Sequence, residues 1–411
     1  MTGDDDVTSR TTKKQIALAT YDLRFSGGVK SVAEFTAEAL DDRRYDSYFV
    51  YNAYPWEECA TATDLIKGNW SIKNTQDSHD GTKVLRIGRR LPELLVTNYR
   101  LNRSAWQSAL IGADTGLVLG GPCLAGVPLA HSETPYVVWM GTTIQDERDV
   151  QKQQFGLGRR IRYELARPVL KRQERTVLRN ADKVLVQSSY TKRRVVEKHG
   201  LNGDAVDVVP VPVDTENFSP GEPETDQKEI VFVGRLNDPR KNTELLLEAF
   251  AQVVKDVPDA KLTLVGGDPA AQYKRLMEEL GIRENVSTPG KVDSVVPYLR
   301  RAAVFAFPSH QEGFGIAALE ALACGTPVVS TRSGGPEDFV VDDETGYLVD
   351  QGDVEGFANA VRGILDSPVD QERMGVAGRE IVVDNYTRKD IEKELNNSVD
   401  KITSVEYTFE R

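Results

Sequence analysis

Short β-branched runs recur along the chain, each followed by a stretch whose apolar positions return every three or four residues. The runs predict strands over Ile16–Tyr21, Tyr48–Tyr51, Val84–Ile87, Gly116–Leu119, Tyr136–Met140, Val184–Gln187 and Val206–Val211. They continue over Ile230–Val233, Lys261–Val265, Val304–Phe307, Val328–Ser330 and Gly346–Val349. The stretches between them predict helices such as Thr243–Lys255, where Leu246, Leu247, Phe250 and Val254 share one face. Apolar strands alternating with helices belong to parallel sheets covered on both faces, so the expected class is α/β.

The pattern breaks once. Between Pro210 and Pro223 four prolines fall within fourteen residues, followed by an acidic patch. Proline disfavours helix and stiffens a connector. With a fresh strand at Ile230, the division falls near residues 215–225. It gives an N-terminal α/β domain over 15–215, a second over 222–386, and a polar flexible tail over 1–14. A length of 411 residues agrees, being more than one core holds at ~100–200 residues per domain.

Composition removes several classes. With 40% hydrophobic and 28% charged residues the chain is an ordinary globular protein rather than a disordered one. No apolar run reaches the roughly 18 residues of a membrane span. The opening Met-Thr-Gly-Asp-Asp-Asp has no basic start or apolar stretch of a secretory signal. Cys59, Cys123 and Cys324 are scattered, with neither a disulfide framework nor zinc spacing, so a reducing cytoplasm is the expected location. No metal site is expected. A net charge of −12 argues against a nucleic-acid partner.

The densest chemistry is His310-Gln-Glu312-Gly313-Phe314-Gly315-Ile-Ala-Ala-Leu-Glu320, directly after the apolar run Val304–Phe307. A strand ends, glycines turn the chain, and Ile316–Cys324 reads as a helix. Backbone N–H groups at such a helix start suit a phosphate or polarised hydroxyls, and two carboxylates suit a polyhydroxylated ligand. A plain strand-to-helix turn with two solvated glutamates is the other reading. Gly313-Phe-Gly315-Ile-Ala-Ala318 also matches G-x-G-x-x-A, the dinucleotide fingerprint. The next strand, however, ends in Arg332-Ser-Gly-Gly with no carboxylate for a ribose, which weakens that reading.

A second block is Val231-Phe-Val-Gly234-Arg235-Leu-Asn-Asp-Pro-Arg240-Lys241-Asn242, again a strand opening into a glycine turn. Arg235 and Lys241 converging on a diphosphate would stabilise charge growing on a leaving group. Otherwise this is a solvated basic turn. A third is the turn Gly27-Gly28-Val29-Lys30-Ser31, which is not a P-loop because Val29 precedes the lysine. Residues 152–183 depart from the acidic trend, with ten basic residues against three acidic ones, a local charge of +7. Arg160, Arg167, Lys171 and Arg175 follow helical spacing beside Ile161, Leu165 and Val169, and Pro168 is expected to kink or divide that helix. An anionic membrane surface and a solvated helix face explain the segment equally well.

Together these residues resemble the family 4 retaining glycosyltransferases, which have the GT-B fold. The resemblance rests on Gly27-Gly28-Val29, Gly234-Arg235-Leu236 with Arg240-Lys241-Asn242, and Glu312 and Glu320 with seven residues between them. Ala181–Ser188, Val209–Asp214, Cys324–Val329, Gly334–Glu337 and Thr345-Gly346 support it, so that it spans nearly the whole chain. It implies two Rossmann-like domains facing across a cleft, the second holding a nucleotide-diphosphate sugar as co-substrate with no other cofactor. Arg235 and Lys241 would hold the diphosphate, Glu320 the ribose and Glu312 the sugar hydroxyls. Backbone amides of Gly313, Phe314 and Gly315 would line the sugar, Gly28 would close on the phosphate, and Lys291-Val292 would meet the base. A C-terminal helix, about 387–411, would cross back to the first domain. Many members carry a histidine after the strand matching Tyr136–Met140, where this chain has Gly141, so only backbone contacts or the side chain of Thr142 or Thr143 could act on the acceptor side. The implied activity is retaining, metal-independent transfer to a saccharide acceptor, lipid-linked or membrane-proximal in view of 152–183. The alternative is a catalytically silent protein of the same fold that binds sugar nucleotides or scaffolds a partner.

Overall fold

The structure is a computed structural model. It describes residues 13–403 apart from 22, 25–26, 42–44, 54–63, 65, 68–71, 73, 91–97 and 222–227. Residues 1–12 of the expected tail over 1–14, Cys59 and residues 404–411 lie outside the described residues.

Two sheets form. The first contains β1 (Lys14–Ala19), β2 (Tyr45–Asn52), β3 (Thr75–His79), β4 (Thr82–Ile87), β5 (Thr115–Gly120), β6 (Tyr136–Met140), β7 (Lys183–Val186) and β8 (Val206–Val208). Its order is β3-β4-β2-β1-β5-β6-β7-β8, parallel except for the β3–β4 hairpin. The second contains β9 (Glu229–Val233), β10 (Lys261–Val265), β11 (Val286–Gly290), β12 (Val304–Phe307), β13 (Val328–Thr331) and β14 (Gly346–Val349). Its order, β11-β10-β9-β12-β13-β14, is parallel throughout. Each sheet winds out from a central strand in both directions. The strand order therefore reverses between β1 and β5 in one and between β9 and β12 in the other. Open α/β sheets bind ligands at the carboxyl ends of the strands flanking that reversal.

The twelve expected strands all form, most with ends shifted by one to three residues. β1 begins at Lys14, inside the expected tail, because pairing with Tyr45 and Asp46 needs only backbone. Two strands escape the apolar pattern. β3 is polar and pairs antiparallel at the edge of its sheet, and β11 contains Pro289 and Gly290, also at an edge. The helix over Leu157–Asn180 is continuous, so Pro168 does not divide it. Pro168 lies on an exposed face, where the carbonyl it leaves unpaired can turn to water.

The C-terminal helix, Arg388–Thr403, leaves the second domain and lies against the first. Ile391, Leu395, Val399 and Ile402 recur at helical spacing and are buried in the core that joins the two domains. At its ends Arg388 pairs with Glu38, and Tyr45 donates to Asp400. The linker runs beside it: the Val213 amide donates to the Tyr386 carbonyl at 2.9 Å. The Arg379 guanidinium donates to the carbonyls of Thr215, Phe218 and Ala323 at 2.6–2.9 Å, which ties the linker to the second domain. Leu395→Ala would open a cavity in this shared core. The expected loss is about 2–5 kcal/mol, read from the denaturant midpoint of unfolding.

Candidate active site

Both basic and acidic blocks fall at the β9/β12 reversal. After β9 the chain turns at Gly234, and Asp238 caps the short turn Pro239–Lys241 by accepting the Arg240 amide at 3.1 Å. Arg235 and Arg240 both pair with Asp238, at 2.9 and 2.7 Å. Burial pushes the Asp238 carboxyl up, but hydrogen bonds and charge from Arg240, then the charge of Arg235, outweigh it and hold it below the usual carboxylate range. Arg235 stays 63% exposed, so its guanidinium can swing toward a ligand, whereas Arg240 is 17% exposed and fixed.

Lys241 points the other way. Its ammonium lies 2.6 Å from Glu312 Oε1 and 4.9 Å from the centre of the Phe307 ring. Both partners are largely buried, so water screens this pair little. The two loops are also joined by backbone, His310 N–H donating to the Arg240 carbonyl at 2.7 Å. Glu312 is held in place by its amide to Ser333 O at 2.8 Å and its carbonyl from Gly335 N at 3.1 Å.

Beyond Glu312, Gly315 adopts φ +100° at the start of the helix Ile316–Ala323, a conformation that favours glycine. Phe314 turns its ring into the core, against Phe339 and Tyr386 at 5.6 and 5.9 Å, so only its backbone faces the cleft. Glu320, in the second turn of that helix, is largely buried and has no hydrogen-bond or ion partner among the described residues. Burial pushes its carboxyl up to about 8. Lys291 and Val292 follow β11 at the outer edge of the sheet, tied in by Gly266 N–H donating to Gly290 O at 3.0 Å.

The first domain meets this edge directly. A methyl group on Gly28 would lie 3.0 Å from Ile316 Cδ1, which puts the glycine turn after β1 against the helix that follows Gly315. Gly141, at the end of β6, packs backbone to backbone on Gly313: a methyl on Gly313 would sit 2.2 Å from the Gly141 carbonyl. Thr142 accepts from Gln311 Nε2 at 2.9 Å. Ser188 and Thr191 add hydroxyls, Ser188 to Gly313 O and Thr191 to Gly141 O, each at 2.6 Å. The structure thus brings Gly28, Gly141, Thr142, Lys241, Glu312, Gly313, Phe314 and Gly315 to one interdomain cleft. Arg235, Glu320 and the Lys291-Val292 pair stand around it. Asp238, Ser188, Thr191 and Gln311 join the site without a distinguishing sequence signal, since their roles depend on what faces them.

Buried hydroxyl oxygens of Ser309 and Ser333 and Oε1 of Gln311 have no partner here. Such orphaned polar atoms in a site call for an explanation, and a polar ligand supplies one. Among the described residues one trio, Glu34, His79 and Asp80, has the spacing of metal ligands, with Lys30 at 3.4 Å from Glu34. It bridges the first domain's helix Gly28–Asp41 and the β3–β4 hairpin.

Two Rossmann-like domains with their strand ends apposed, and paired cations and carboxylates between them, define the GT-B class of architecture. The chain belongs to the family 4 glycosyltransferases: the model described as Glycosyltransferase Family 4 matches residues 26–217, and that described as Glycosyl transferases group 1 matches 213–381. The GDP-mannose-dependent alpha-(1-6)-phosphatidylinositol monomannoside mannosyltransferase of Mycolicibacterium smegmatis is 36% identical over 240 residues, 53% of this chain and 62% of that protein. The D-inositol 3-phosphate glycosyltransferase of the same organism is 34% identical over 210 residues, 47% of each. These alignments span about half of the curated relatives' length. In fold, the chain resembles sucrose-phosphate synthase from Thermosynechococcus elongatus, with TM-score 0.76, 21% identity, and 95% and 99% of the two chains covered. It also resembles Anabaena HepE, solved in complex with UDP, with TM-score 0.72, 17% identity, and 94% and 100% covered.

Glu320 carries a pH prediction. A carboxyl raised to about 8 in the folded chain keeps a proton that the unfolded chain has released, so stability falls as pH rises from about 4.5 to 8. Glu320→Gln removes that slope. Its melting temperature should exceed the wild type's at pH 8.5, with the gap closing toward pH 5.

Proposed function

We propose that the chain transfers a sugar from a nucleotide-diphosphate sugar to a saccharide acceptor, with retention of configuration and without a metal ion. The observation that carries this is the Lys241–Glu312 pair, set at the strand reversal of one domain against the glycine turns of the other. Lys241 and Arg235 would take the diphosphate, Glu320 the ribose, and Glu312 with the backbone of Gly313, Phe314 and Gly315 the sugar. These side-chain cations supply the positive charge that the leaving diphosphate needs.

In the reaction the bond from the anomeric carbon to the phosphate oxygen breaks. A bond to the acceptor oxygen forms on the same face, and the acceptor proton passes to the departing phosphate oxygen. Positioning and leaving-group stabilisation then suffice, with no separate base. Glu312 as a covalent nucleophile fits less well, because its carboxylate is tied to Lys241 at 2.6 Å.

A membrane-proximal acceptor is supported by the helix Leu157–Asn180. Leu157, Ile161, Leu165 and Val169 repeat every fourth residue and are 76%, 52%, 75% and 43% exposed. Arg160, Arg162, Arg172 and Arg175 on the same helix have no acidic partner among the described residues. Exposed apolar side chains among unpaired cations suit an anionic lipid surface. No helix among the described residues is long and apolar enough to cross a membrane.

Three measurements test this reading. Thermal shift against UDP, GDP, ADP and their sugars should reveal one nucleotide family, its shift unaltered by chelator, reaching ~2.7 kcal/mol of stabilisation at a hundred times the dissociation constant. Lys241→Ala and Glu312→Ala should each lower transfer by about a hundredfold or more while the protein stays folded. Full turnover in both, or donor binding without transfer to any acceptor, refutes catalysis by this site. The third is flotation with phosphatidylglycerol vesicles: the wild type should bind and Ile161→Glu/Leu165→Glu should not.

A further inference from the structure

Gly141 does not have a positive φ, so its backbone conformation does not call for glycine. What excludes a side chain there is Gln187, at the end of the neighbouring strand. A methyl on Gly141 would lie 2.4 Å from Gln187 Oε1, 3.2 Å from Cδ and 3.7 Å from Nε2. The two residues sit side by side at the carboxyl ends of β6 and β7, the Gln187 amide donating to Met140 O at 3.0 Å. The Gln187 carboxamide therefore occupies the volume that a side chain at position 141 would fill.

Gln187 is 7% exposed, and its carboxamide has no hydrogen-bond partner among the described residues. Its neighbours are otherwise satisfied: the hydroxyls of Ser188 and Thr191 bind the carbonyls of Gly313 and Gly141. A carboxamide offers two donors and one acceptor, and neither Gln187 Oε1 nor Nε2 is among the fully buried atoms without a partner, so these polar atoms stay accessible although most of the side chain is covered. It lies across Gly141 from Gly313, the residue after Glu312. We propose that Gln187 is a specificity-determining contact whose carboxamide hydrogen-bonds a hydroxyl of the sugar being transferred. Gly141 is glycine to let it reach that point. The proposal rests on reading the cleft as a sugar-nucleotide site.

The test compares, by calorimetry on the full chain, UDP-glucose, UDP-N-acetylglucosamine, GDP-mannose and ADP-glucose with the bare diphosphates UDP, GDP and ADP. Gln187→Ala should weaken the bound sugar nucleotide by about tenfold, leave the matching diphosphate within about twofold, and lower transfer in step. Gly141→Ala should displace the carboxamide and reproduce that pattern, and the double variant should be no worse than Gln187→Ala. Melting temperatures establish that each variant is folded. If the wild type binds a sugar nucleotide and folded Gln187→Ala keeps the same ratio of affinities and the same turnover, Gln187 makes no such contact. A wild type that binds none of the seven probes overturns the sugar-nucleotide reading itself, and this inference with it.

Discussion

The carbonyl of Gly141 lies against the α-carbon of Gly313, closer than any side chain on Gly313 would permit, and the geometry of the cleft follows from that approach. A Cβ in this position would push the domains apart by the width of a methyl group. With glycine at position 313, the strand ends of the two sheets come close enough for the Ser188 hydroxyl to reach the Gly313 carbonyl and for Gln311 to reach Thr142. Gly28 lies against the Ile316 side chain, a methyl there falling 3.0 Å from Cδ1.

Within that narrow space the charges are already paired. Lys241 rests on Glu312, and Arg235 and Arg240 share Asp238. Partly buried ions are tolerable only when partnered, because desolvation costs more than an unpaired charge recovers. Each pair also holds a loop in shape: Asp238 caps the turn that carries Lys241, and Lys241 draws that turn onto the loop after β12. Lys241 and Glu312 are thus held in place before any ligand arrives, while the exposed Arg235 keeps room to move. Glu320 is the exception, a carboxyl buried with no partner, and its raised pKa follows from that isolation.

The apolar framework serves the same arrangement. One continuous core runs from the first sheet through the linker valines to the helix Ile316–Ala323 and the C-terminal helix, so the domains share packing as well as polar contacts. The Phe314 ring is part of it, wedged against Phe339 and Tyr386. A residue at the centre of the glycine turn is in this way anchored from below while its backbone stays open to the cleft.

The sequence by itself determined the apolar strands of both sheets, the proline-rich passage between them, the two loops that carry Arg235, Lys241 and Glu312, and the helix that carries Glu320. These are local: buried parallel strands must be apolar along their length, and tight turns into helices need glycine. The polar edge strands β3 and β11 were not legible, because an edge strand needs backbone pairing on one side and little apolar surface. The continuity of the helix through Pro168 was equally hidden, since it depends on that face looking out to water. Only the tertiary structure decided that Lys241 pairs with Glu312 across 71 positions, that Gly141 meets Gly313, and that Gln187 fills the space beside Gly141. Each is a contact between segments distant in the chain or on neighbouring strands. The first and third depend on which strands of one sheet are neighbours and the second on how the two sheets are placed, and no run of residues encodes either by itself.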